Sequence, residues 1–233
     1  MPSLGHWARF CALWVLLDFE RPHGLYFMKY NPMPPTCAAQ AAEIGLEGRI
    51  MPKKIAVIDG NSLMHRAYHA VPATMNAPDG TPTNAAFGFL SMFLKFYEMA
   101  RPDAVVCAFD AGRPAFRMEA LEQYKAQRPP MDAELKAQFP VIEHLLESMN
   151  VPVIRVKGWE GDDVLGTVSA RDEELGYETL LVSGDKDVYQ LVTDRTHVVT
   201  TKKGITDVAI YGPAEVEERY GVTPAQFPDF LGL

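Results

Sequence analysis

Seven acidic residues in four short segments are the side chains whose types and spacing point most directly to chemistry. They are Asp59, Asp110, Glu160, Asp162, Asp163, Asp185 and Asp187. Three segments are apolar stretches that end in acids (IAVID at Asp59, AVVCAFD at Asp110, and TLLVSGDKD), and the fourth, WEGDDVLG, opens a predicted helix. If the apolar stretches are parallel strands, their acids meet at the sheet edge where ligands bind in open α/β folds.

Carboxylates that meet at one edge repel one another, and each raises the pKa of its neighbours unless a cation neutralises them. Hard divalent cations prefer oxygen ligands, and Mg²⁺ keeps several waters beside its carboxylates. The acids therefore predict a metal-dependent enzyme that cleaves phosphodiesters. Taken singly, each acid has a simpler interpretation as a solvated turn or a helix N-cap, and capping alone would explain Asp162 and Asp163 at a helix N-terminus.

The composition narrows the class of protein. The chain has 233 residues, 48% of them hydrophobic, which is enough for one sizeable domain or a domain with an appendage. A formal net charge of -8 disfavours a passive nucleic-acid coat. Cys11, Cys37 and Cys107 have no CxxC spacing, which disfavours a zinc site and fits a reducing cytoplasm. No apolar run approaches the roughly 18 residues of a membrane helix, and no dinucleotide fingerprint or P-loop is present.

The first fifty residues differ from the rest because regular patterning begins only at Lys53. The apolar stretch CALWVLL allows a signal peptide as one interpretation, but charged residues follow it closely and its cleavage site is poor. The preferred hypothesis is that Met51 is the natural start. Residues 1–50 would then be a non-native or disordered N-terminal extension, and residues 51–233 the folded core. Mass spectrometry of the native N-terminus tests this hypothesis.

Strands alternate with helices along the core, which predicts right-handed βαβ units and a mostly parallel sheet. The predicted strands cover 53–60, 103–110, 151–158 and 178–184, followed by a hairpin over 197–212 that turns at Lys203 and Gly204. The predicted helices cover 83–100, 141–149, 160–175 and 213–221, with a short helix after the fourth strand and another beginning near the end of the chain.

Two of these helices carry specific expectations. The helix over 83–100 is expected to use Thr83 as its N-cap. Its apolar stripe at helical spacing is expected to face the core, and it consists of Phe87, Leu90, Phe93, Leu94 and Tyr97. Pro140 is expected in the first turn of the helix over 141–149, where a missing N–H is tolerated.

A basic segment from Ala111 to about Met131 interrupts this acidic chain. It carries Arg113, Arg117, Lys125 and Arg128, with Phe116 and Tyr124 interleaved. Cations fix phosphates and aromatic faces stack on unpaired bases, so the segment indicates a nucleic-acid interface. An ordinary solvated loop is the alternative.

Further basic residues lie close to the first acid and at the tip of the hairpin. Arg66 and His69 are candidates for contact with phosphate, with a structural role as an equally weighted alternative. Lys202 and Lys203 are expected to form a plain turn.

Six blocks of sequence, in this order and spacing, resemble the bacterial 5′ nuclease domain, the 5′→3′ exonuclease and flap nuclease part of DNA polymerase I in the flap endonuclease superfamily. The blocks are VIDGNSLMHRAYHA, TNAAFGFLSMFL, VCAFDAGRPAFRMEALEQYKAQR, VKGWEGDDVLGT, LVSGDKDVYQLV and YGPAEVEERYGVTPAQFPDFLGL. The resemblance runs from about Lys53 to Leu233. It implies an α/β, three-layer PIN-like fold with a mostly parallel central sheet, a basic helical arch over about 111–135, and a C-terminal hairpin and helices.

The resemblance also implies a role for each candidate residue. Metal ligands would be Asp59, Asp110, Glu160 and Asp162 around a first ion, with Asp163, Asp185 and Asp187 beside them or between two ions. Lys125 and Arg128 match basic residues that contact the scissile phosphate, and Tyr124 matches a stacking position. Arg66 and Arg117 complete the DNA-binding candidates. The implied cofactors are two Mg²⁺ ions, which Mn²⁺ can replace.

The implied substrate is DNA with a 5′ flap or a 5′ end, including RNA–DNA primer junctions, processed for primer removal and nick repair. A monomer in the bacterial cytoplasm is expected, with no membrane partner and with a polymerase domain in cis in the full-length protein. The family pattern continues with a GDxSDN segment and a helix-hairpin-helix immediately beyond Leu233, so the sequence is expected to be a truncated core. Two alternatives remain: a catalytically impaired fragment that binds flaps or ends, and a PIN-type ribonuclease.

Overall fold

A computed structural model of the chain describes residues 54–112, 115–120, 129–205 and 207–232. The hypothesis about residues 1–50 lies outside these ranges. The strands are β1 Lys54–Asp59, β2 Ala104–Ala108, β3 Val153–Ile154, β4 Glu178–Val182, β5 Thr196–Lys203 and β6 Asp207–Tyr211. The α-helices are α1 Gly60–Ala70, α2 Asn84–Ala100, α3 Ala115–Ala120, α4 Ala133–Ser148, α5 Gly161–Glu174, α6 Pro213–Tyr220 and α7 Phe227–Gly232. Two 3-10 helices cover Asp187–Leu191 and Pro224–Gln226.

The six strands form one sheet in the order β3-β2-β1-β4-β5-β6. Every neighbouring pair is parallel except β5 and β6, which form the antiparallel hairpin expected from the sequence. Alternate strand residues point to opposite faces. Ile58 packs with the core on the face covered by α1, α2 and α4, and α5 contacts the sheet separately along β1 and β4. The predicted α/β, mostly parallel architecture is therefore confirmed.

The connection β1–α1 places the first acid of the site. Helix α1 begins at Gly60, directly after the strand, and Asp59 is its N-cap. The side chain of Asp59 accepts a hydrogen bond of 2.9 Å from the amide of Ser62, which satisfies one of the free N–H groups of the first turn. A Cβ on Gly60 would lie 2.4 Å from the ring of Phe109. Glycine therefore lets the side chain of Phe109, directly after β2, pack against the start of α1.

The core face of α2 includes Phe93 from the expected stripe but otherwise differs from that stripe. Phe89 and Phe96 are 1% exposed, whereas Phe87 and Leu94 are 51% and 54% exposed. A Cβ on Gly88 would lie 2.8 Å from the Cβ of Ala67, so the glycine marks the face on which α1 approaches closely. The helix is apolar on most sides, so its sequence contains two apolar stripes of the same helical spacing, and either could face the core. Thr83 does lie at the N-cap position, but its side chain accepts no hydrogen bond from the helix, and its hydroxyl donates to the carbonyl of Met75.

Helix α4 begins eight residues before the predicted start at 141. Asp132 caps it by accepting a hydrogen bond from the amide of Glu134, and Pro140 lies in the interior of the helix. An interior proline removes one helical hydrogen bond. Burial of a continuous face compensates for that loss, and the face comprises Leu135, Gln138, Ile142 and Leu146.

Strand β3 is two residues long where eight were predicted. It lies at the edge of the sheet, and Pro152, which has no N–H, precedes it and accepts from the amide of Cys107. Proline is tolerated at such an edge because one side of the strand has no partner. In the described ranges, no helix is long and apolar enough to cross a membrane.

A buried amide joins α4 to the start of α2. The Oε1 atom of Gln138 accepts from the amides of Ala85 and Ala86 at 2.8 Å and 3.1 Å, and its Nε2 donates to Oδ1 of Asn84 at 2.9 Å. Gln138 and Asn84 are 0% and 1% exposed. Each buried polar group left without a partner costs about 1–3 kcal/mol.

We therefore expect Gln138→Leu to lower the free energy of unfolding by about 2–5 kcal/mol. The substitution leaves the amides of Ala85 and Ala86 and Oδ1 of Asn84 without this hydrogen-bond partner. Urea denaturation measures the change. Ser91→Ala is the control on α2, since it removes an exposed hydrogen bond to the carbonyl of Phe87 and should change stability by less than about 0.5 kcal/mol. Equal losses in the two variants would contradict the assignment.

A buried carboxyl on α5, next to the start of β4, makes the stability of the fold depend on pH. Burial raises the pKa of Asp172 from 3.8 to about 6. A hydrogen bond from the hydroxyl of Thr179 acts in the opposite direction but has the smaller effect. The folded state therefore holds this proton more tightly than the unfolded state. Its contribution to stability is greatest near pH 4 and is lost as pH rises through about 6.

Asp172→Asn should therefore raise the free energy of unfolding by about 1–3 kcal/mol near neutral pH and have little effect near pH 4. Asparagine keeps an oxygen that accepts from Thr179. Urea denaturation in EDTA at the two pH values is the measurement. A loss of stability at neutral pH would mean that the charged carboxylate is preferred in the fold.

Candidate active site

The acids at the ends of β1, β2 and β4 meet at one edge of the sheet. These three strands are neighbours and parallel, so their carboxyl ends coincide. Asp59 is the last residue of β1, Asp110 follows β2 by two residues, and Asp185 follows β4 by three. A Cβ on Gly161 would lie 3.3 Å from Oδ1 of Asp110 and 3.9 Å from Oδ1 of Asp59, so both carboxylates surround the start of α5.

Asp59 is the most deeply buried of these three acids and is 4% exposed. Burial raises its pKa from 3.8 to about 6, and the negative charges of Asp110 and Asp185 raise it further, while hydrogen bonds from Ser62 and Ser183 act in the opposite direction. Asp110 and Asp185 are exposed. The site thus has one buried and two open carboxylates that repel one another.

Short hydrogen bonds hold these carboxylates in place. The hydroxyl of Ser183 donates to Oδ2 of Asp59 at 2.7 Å, and Oγ of Ser183 accepts from the amide of Asp185 at 3.1 Å. Ser62 accepts from the amide of Gly184 at 2.8 Å. The two serines therefore tie the loop after β4 to the start of α1.

Asp110 is oriented from two sides. Its Oδ1 accepts from the amide of Gly161 at 2.7 Å, and its Oδ2 accepts from the side-chain amide of Asn61 at 3.1 Å. Asn61 also accepts from the backbone amide of Asp110 at 3.2 Å. Asn61, Ser62 and Ser183 were missed in the sequence analysis. Their signal was a polar residue two or three positions from the acid in IDGNS and VSGDKD.

The remaining acids lie around the first turn of α5 and at the loop after β4. Glu160 is the N-cap of α5, and its amide donates to Oδ2 of Asp163 at 3.0 Å. Asp162 is half-buried in the same turn. Asp187 is exposed and its amide donates to Oδ1 of Asp185 at 3.1 Å. Glu160 and Asp163 therefore cap α5 in the same turn that carries the predicted metal ligands.

Arg117 lies inside the acidic group. Its guanidinium contacts both oxygens of Asp163, at 2.8 Å and 2.6 Å, and Oε2 of Glu160 at 3.0 Å. Arg117 is one of the predicted DNA-binding residues, and in the structure it contacts two of the predicted metal ligands.

Of the other DNA-binding candidates, only Arg66 lies in the described part of the chain. Tyr124, Lys125 and Arg128 lie outside the described residues. Arg66 donates to the carbonyl of Thr201 at 2.6 Å, so it links α1 to β5. Of the described polar atoms, Nε of Arg66 and Oγ1 of Thr201 are buried without a hydrogen-bond partner. Both residues line a cavity of about 20 Å³, which has room for one water.

His69 is exposed, with its ring edge-on to Tyr68. Cys107 is buried in β2 and is a free cysteine. The expected arch over about 111–135 contains α3 and overlaps the start of α4.

The chemistry of the donor set fits a hard divalent cation. All the donors are carboxylate oxygens, and Asp59, Asp110 and Asp185 repel one another without a counter-charge. Within the described part of the chain, no three acidic, histidine or cysteine side chains already converge at ligating distance from one point. Mg²⁺ does not require that, because it binds through one or two carboxylates together with waters and substrate phosphates.

The fold of this chain is similar to that of the 5′-exonuclease of bacteriophage T5. The T5 5′-exonuclease with bound zinc aligns with a TM-score of 0.58 and 22% identity over 75% of this chain and 64% of that chain. A T5 flap endonuclease in complex with DNA and metal ions aligns with a TM-score of 0.57 and 20% identity over 75% of this chain and 63% of that chain. At these identities the likeness is one of fold.

The chain belongs to the family described as 5′-3′ exonuclease, N-terminal resolvase-like domain, which matches residues 54–221. It is 42% identical over 183 residues to DNA polymerase I of Bacillus caldotenax, covering 78% of this chain and 21% of that protein. It is also 42% identical over 181 residues to DNA polymerase I of Bacillus subtilis, covering 78% and 20%. The resemblance seen in the sequence is confirmed. The chain spans about a fifth of the length of these relatives.

Proposed function

We propose that this protein is a divalent-metal-dependent 5′→3′ exonuclease and 5′ flap endonuclease that hydrolyses DNA phosphodiesters. The observation that carries the proposal is the meeting of Asp59, Asp110 and Asp185 at the carboxyl ends of three neighbouring parallel strands. Membership of a 5′-3′ exonuclease domain family supports it. Mg²⁺ is the proposed cofactor, with Mn²⁺ as a substitute, because the donors are hard oxygens.

Asp59 would hold the cation from the end of β1, Asp110 from the side of α5, and Asp185 from the loop after β4. When bound, a pair of such ions lowers the pKa of an attacking water and stabilises the leaving 3′ oxygen. The protein contributes fixed orientation. Ser62 and Ser183 hold Asp59, and Gly161 holds Asp110, so the carboxylates require little rearrangement as charge develops.

Substrate contacts are proposed for the arch. Lys125 and Arg128 would contact the scissile phosphate, and Tyr124 would stack on an unpaired base of the 5′ strand. The proposed substrates are DNA with a 5′ flap or a 5′ end and RNA–DNA primer junctions, and the proposed role is primer removal and nick processing.

Cleavage of a 5′-labelled DNA flap on a duplex, with a matched RNA flap beside it, tests the proposal on the full chain. We expect product from the DNA flap near its junction with Mg²⁺ or Mn²⁺ and none with EDTA. Preferential cutting of RNA would favour a PIN-type ribonuclease. Flap binding without product in any metal would favour a DNA-binding fragment and contradict the proposed activity.

A further inference from the structure

Arg117 is positioned like a cation bound by the acidic group. It makes a two-pronged pair with Asp163 and a third contact with Glu160. The side chains of Arg117, Asp163 and Glu160 are 28%, 17% and 9% exposed, so water screens the contacts only in part. Planar, two-pronged arginine–carboxylate pairs are among the stronger charged hydrogen bonds in proteins.

The position of Arg117 in the chain makes this contact more than a local ion pair. Arg117 belongs to α3 and its partners belong to the start of α5, 43 and 46 residues further along the chain. Helix α3 leads directly into the segment that carries Lys125 and Arg128. The ion pair therefore fastens the base of the proposed arch to the edge that carries the proposed metal ligands.

We propose that Arg117 is the internal counter-ion of Glu160 and Asp163 and releases these carboxylates when a divalent cation binds at the acidic edge. Arg117 is then a positioning residue, because metal occupancy decides whether α3 is fastened to α5. The inference rests on the proposed function, which supplies the divalent cation.

The coupling follows from charge and from reciprocity. A guanidinium and a divalent cation bind to the same carboxylate oxygens, so the presence of one makes the binding free energy of the other less favourable. Because linkage is reciprocal, a metal that weakens the Arg117 pair must itself be weakened by that pair, to the same extent. Removing Arg117 should therefore tighten metal binding, although an arginine beside a metal-dependent site is ordinarily expected to support it.

Calorimetric titration of the full chain with Mn²⁺ tests this inference. We expect Arg117→Gln to bind Mn²⁺ roughly tenfold more tightly than the unsubstituted protein, within the range usual for coupled sites. Arg171→Gln is the matched control, since it removes the same charge from an exposed arginine–carboxylate pair with Glu174 at the far end of α5. An unchanged or weaker affinity in Arg117→Gln, or an equal gain in Arg171→Gln, would overturn the proposal.

Hydrogen exchange at the amides of residues 115–120 provides a second readout that does not depend on activity. In the unsubstituted protein, exchange should be slower in EDTA than in Mn²⁺, and in Arg117→Gln it should be fast in both. Exchange that Mn²⁺ leaves unchanged or slows in the unsubstituted protein would overturn the proposed release.

Arg117→Lys covers the case in which Arg117→Gln fails to fold. Lysine keeps the charge but loses the planar two-pronged contact, so Mn²⁺ affinity should still rise, by less than tenfold, and an absence of any rise would contradict the inference. If the unsubstituted protein binds no Mn²⁺ at all, the proposed function fails as well. If it binds Mn²⁺ and the Arg117 variants bind it equally, only this inference fails.

Discussion

Asp59→Asn is expected to abolish metal-dependent cleavage while making the metal-free protein more stable at neutral pH. Asp59 is the buried carboxylate of the site, and a bound metal contributes several kcal/mol to the transition state. A loss of about 4 kcal/mol corresponds to roughly a thousandfold in rate. The measurement is the single-turnover rate of cleavage of a DNA flap in Mg²⁺.

The stability change has the opposite sign because burial and neighbouring acids raise the pKa of Asp59 from 3.8 to about 6. The ionised carboxylate is disfavoured in the fold, so this contribution to stability falls as pH rises through about 6. Replacing it should raise the free energy of unfolding by up to about 3 kcal/mol in EDTA near pH 7. Urea denaturation of both proteins in EDTA checks the sign.

Asp172→Asn is the matched control for both results. Asp172 is buried, and its pKa is likewise raised to about 6, but it lies at the other end of β4 from the acidic edge. It should gain a similar amount of stability and keep its cleavage rate within about twofold. Equal losses of activity in Asp59→Asn and Asp172→Asn would mean that the acids act through the fold and not through a metal.

Lys125→Ala is expected to slow cleavage far more than it weakens DNA binding. Under the proposed function Lys125 contacts the scissile phosphate, where negative charge develops only as the reaction proceeds. Losing one such positive charge should lower the single-turnover rate by roughly a hundredfold, whereas flap affinity should fall by only a few fold.

Rate and affinity are measured separately, with affinity determined in Ca²⁺ or EDTA so that no cleavage occurs. Lys95→Ala is the control, because it removes the same charge from a surface pair with Glu98 on α2. An unchanged cleavage rate in Lys125→Ala would remove this residue from the catalytic machinery. A parallel fall in rate and affinity would assign it to binding alone.

The positions of the acids were predictable because strand patterning and parallel topology leave little freedom. An apolar run that ends in an acid puts Asp59 and Asp110 at the same edge once β1 and β2 pair in parallel. The hairpin of β5 and β6 followed in the same way from two strands around Lys203 and Gly204. These features depend on local sequence and on one rule of chain connection.

The features that were missed depend on contacts between distant residues. The two apolar stripes of α2 are equivalent in the sequence, and only the approach of α1 at Gly88 selects Phe89 and Phe96 over Phe87 and Leu94. The early start of α4 follows from burial on the core face, which outweighs the proline in its interior.

The support of the site was missed for the same reason. Ser183 holds Asp59 across 124 residues of sequence, and Arg117 reaches Asp163 across 46. A serine after a strand and an arginine in a basic segment have many ordinary roles, so their residue types alone do not specify these partners. The acids that do the proposed chemistry could be predicted, whereas the hydrogen bonds that orient them required the fold.

Paramagnetic broadening by Mn²⁺ in the amide spectrum of the full chain tests the central claim most directly, because it locates the metal without depending on activity. The account predicts that substoichiometric Mn²⁺ broadens the amides of Gly60, Gly161 and Gly184 first, since these glycines flank Asp59, Asp110 and Asp185. Broadening that begins instead at the exposed acids of α6, or that shows no preferred site, would contradict it.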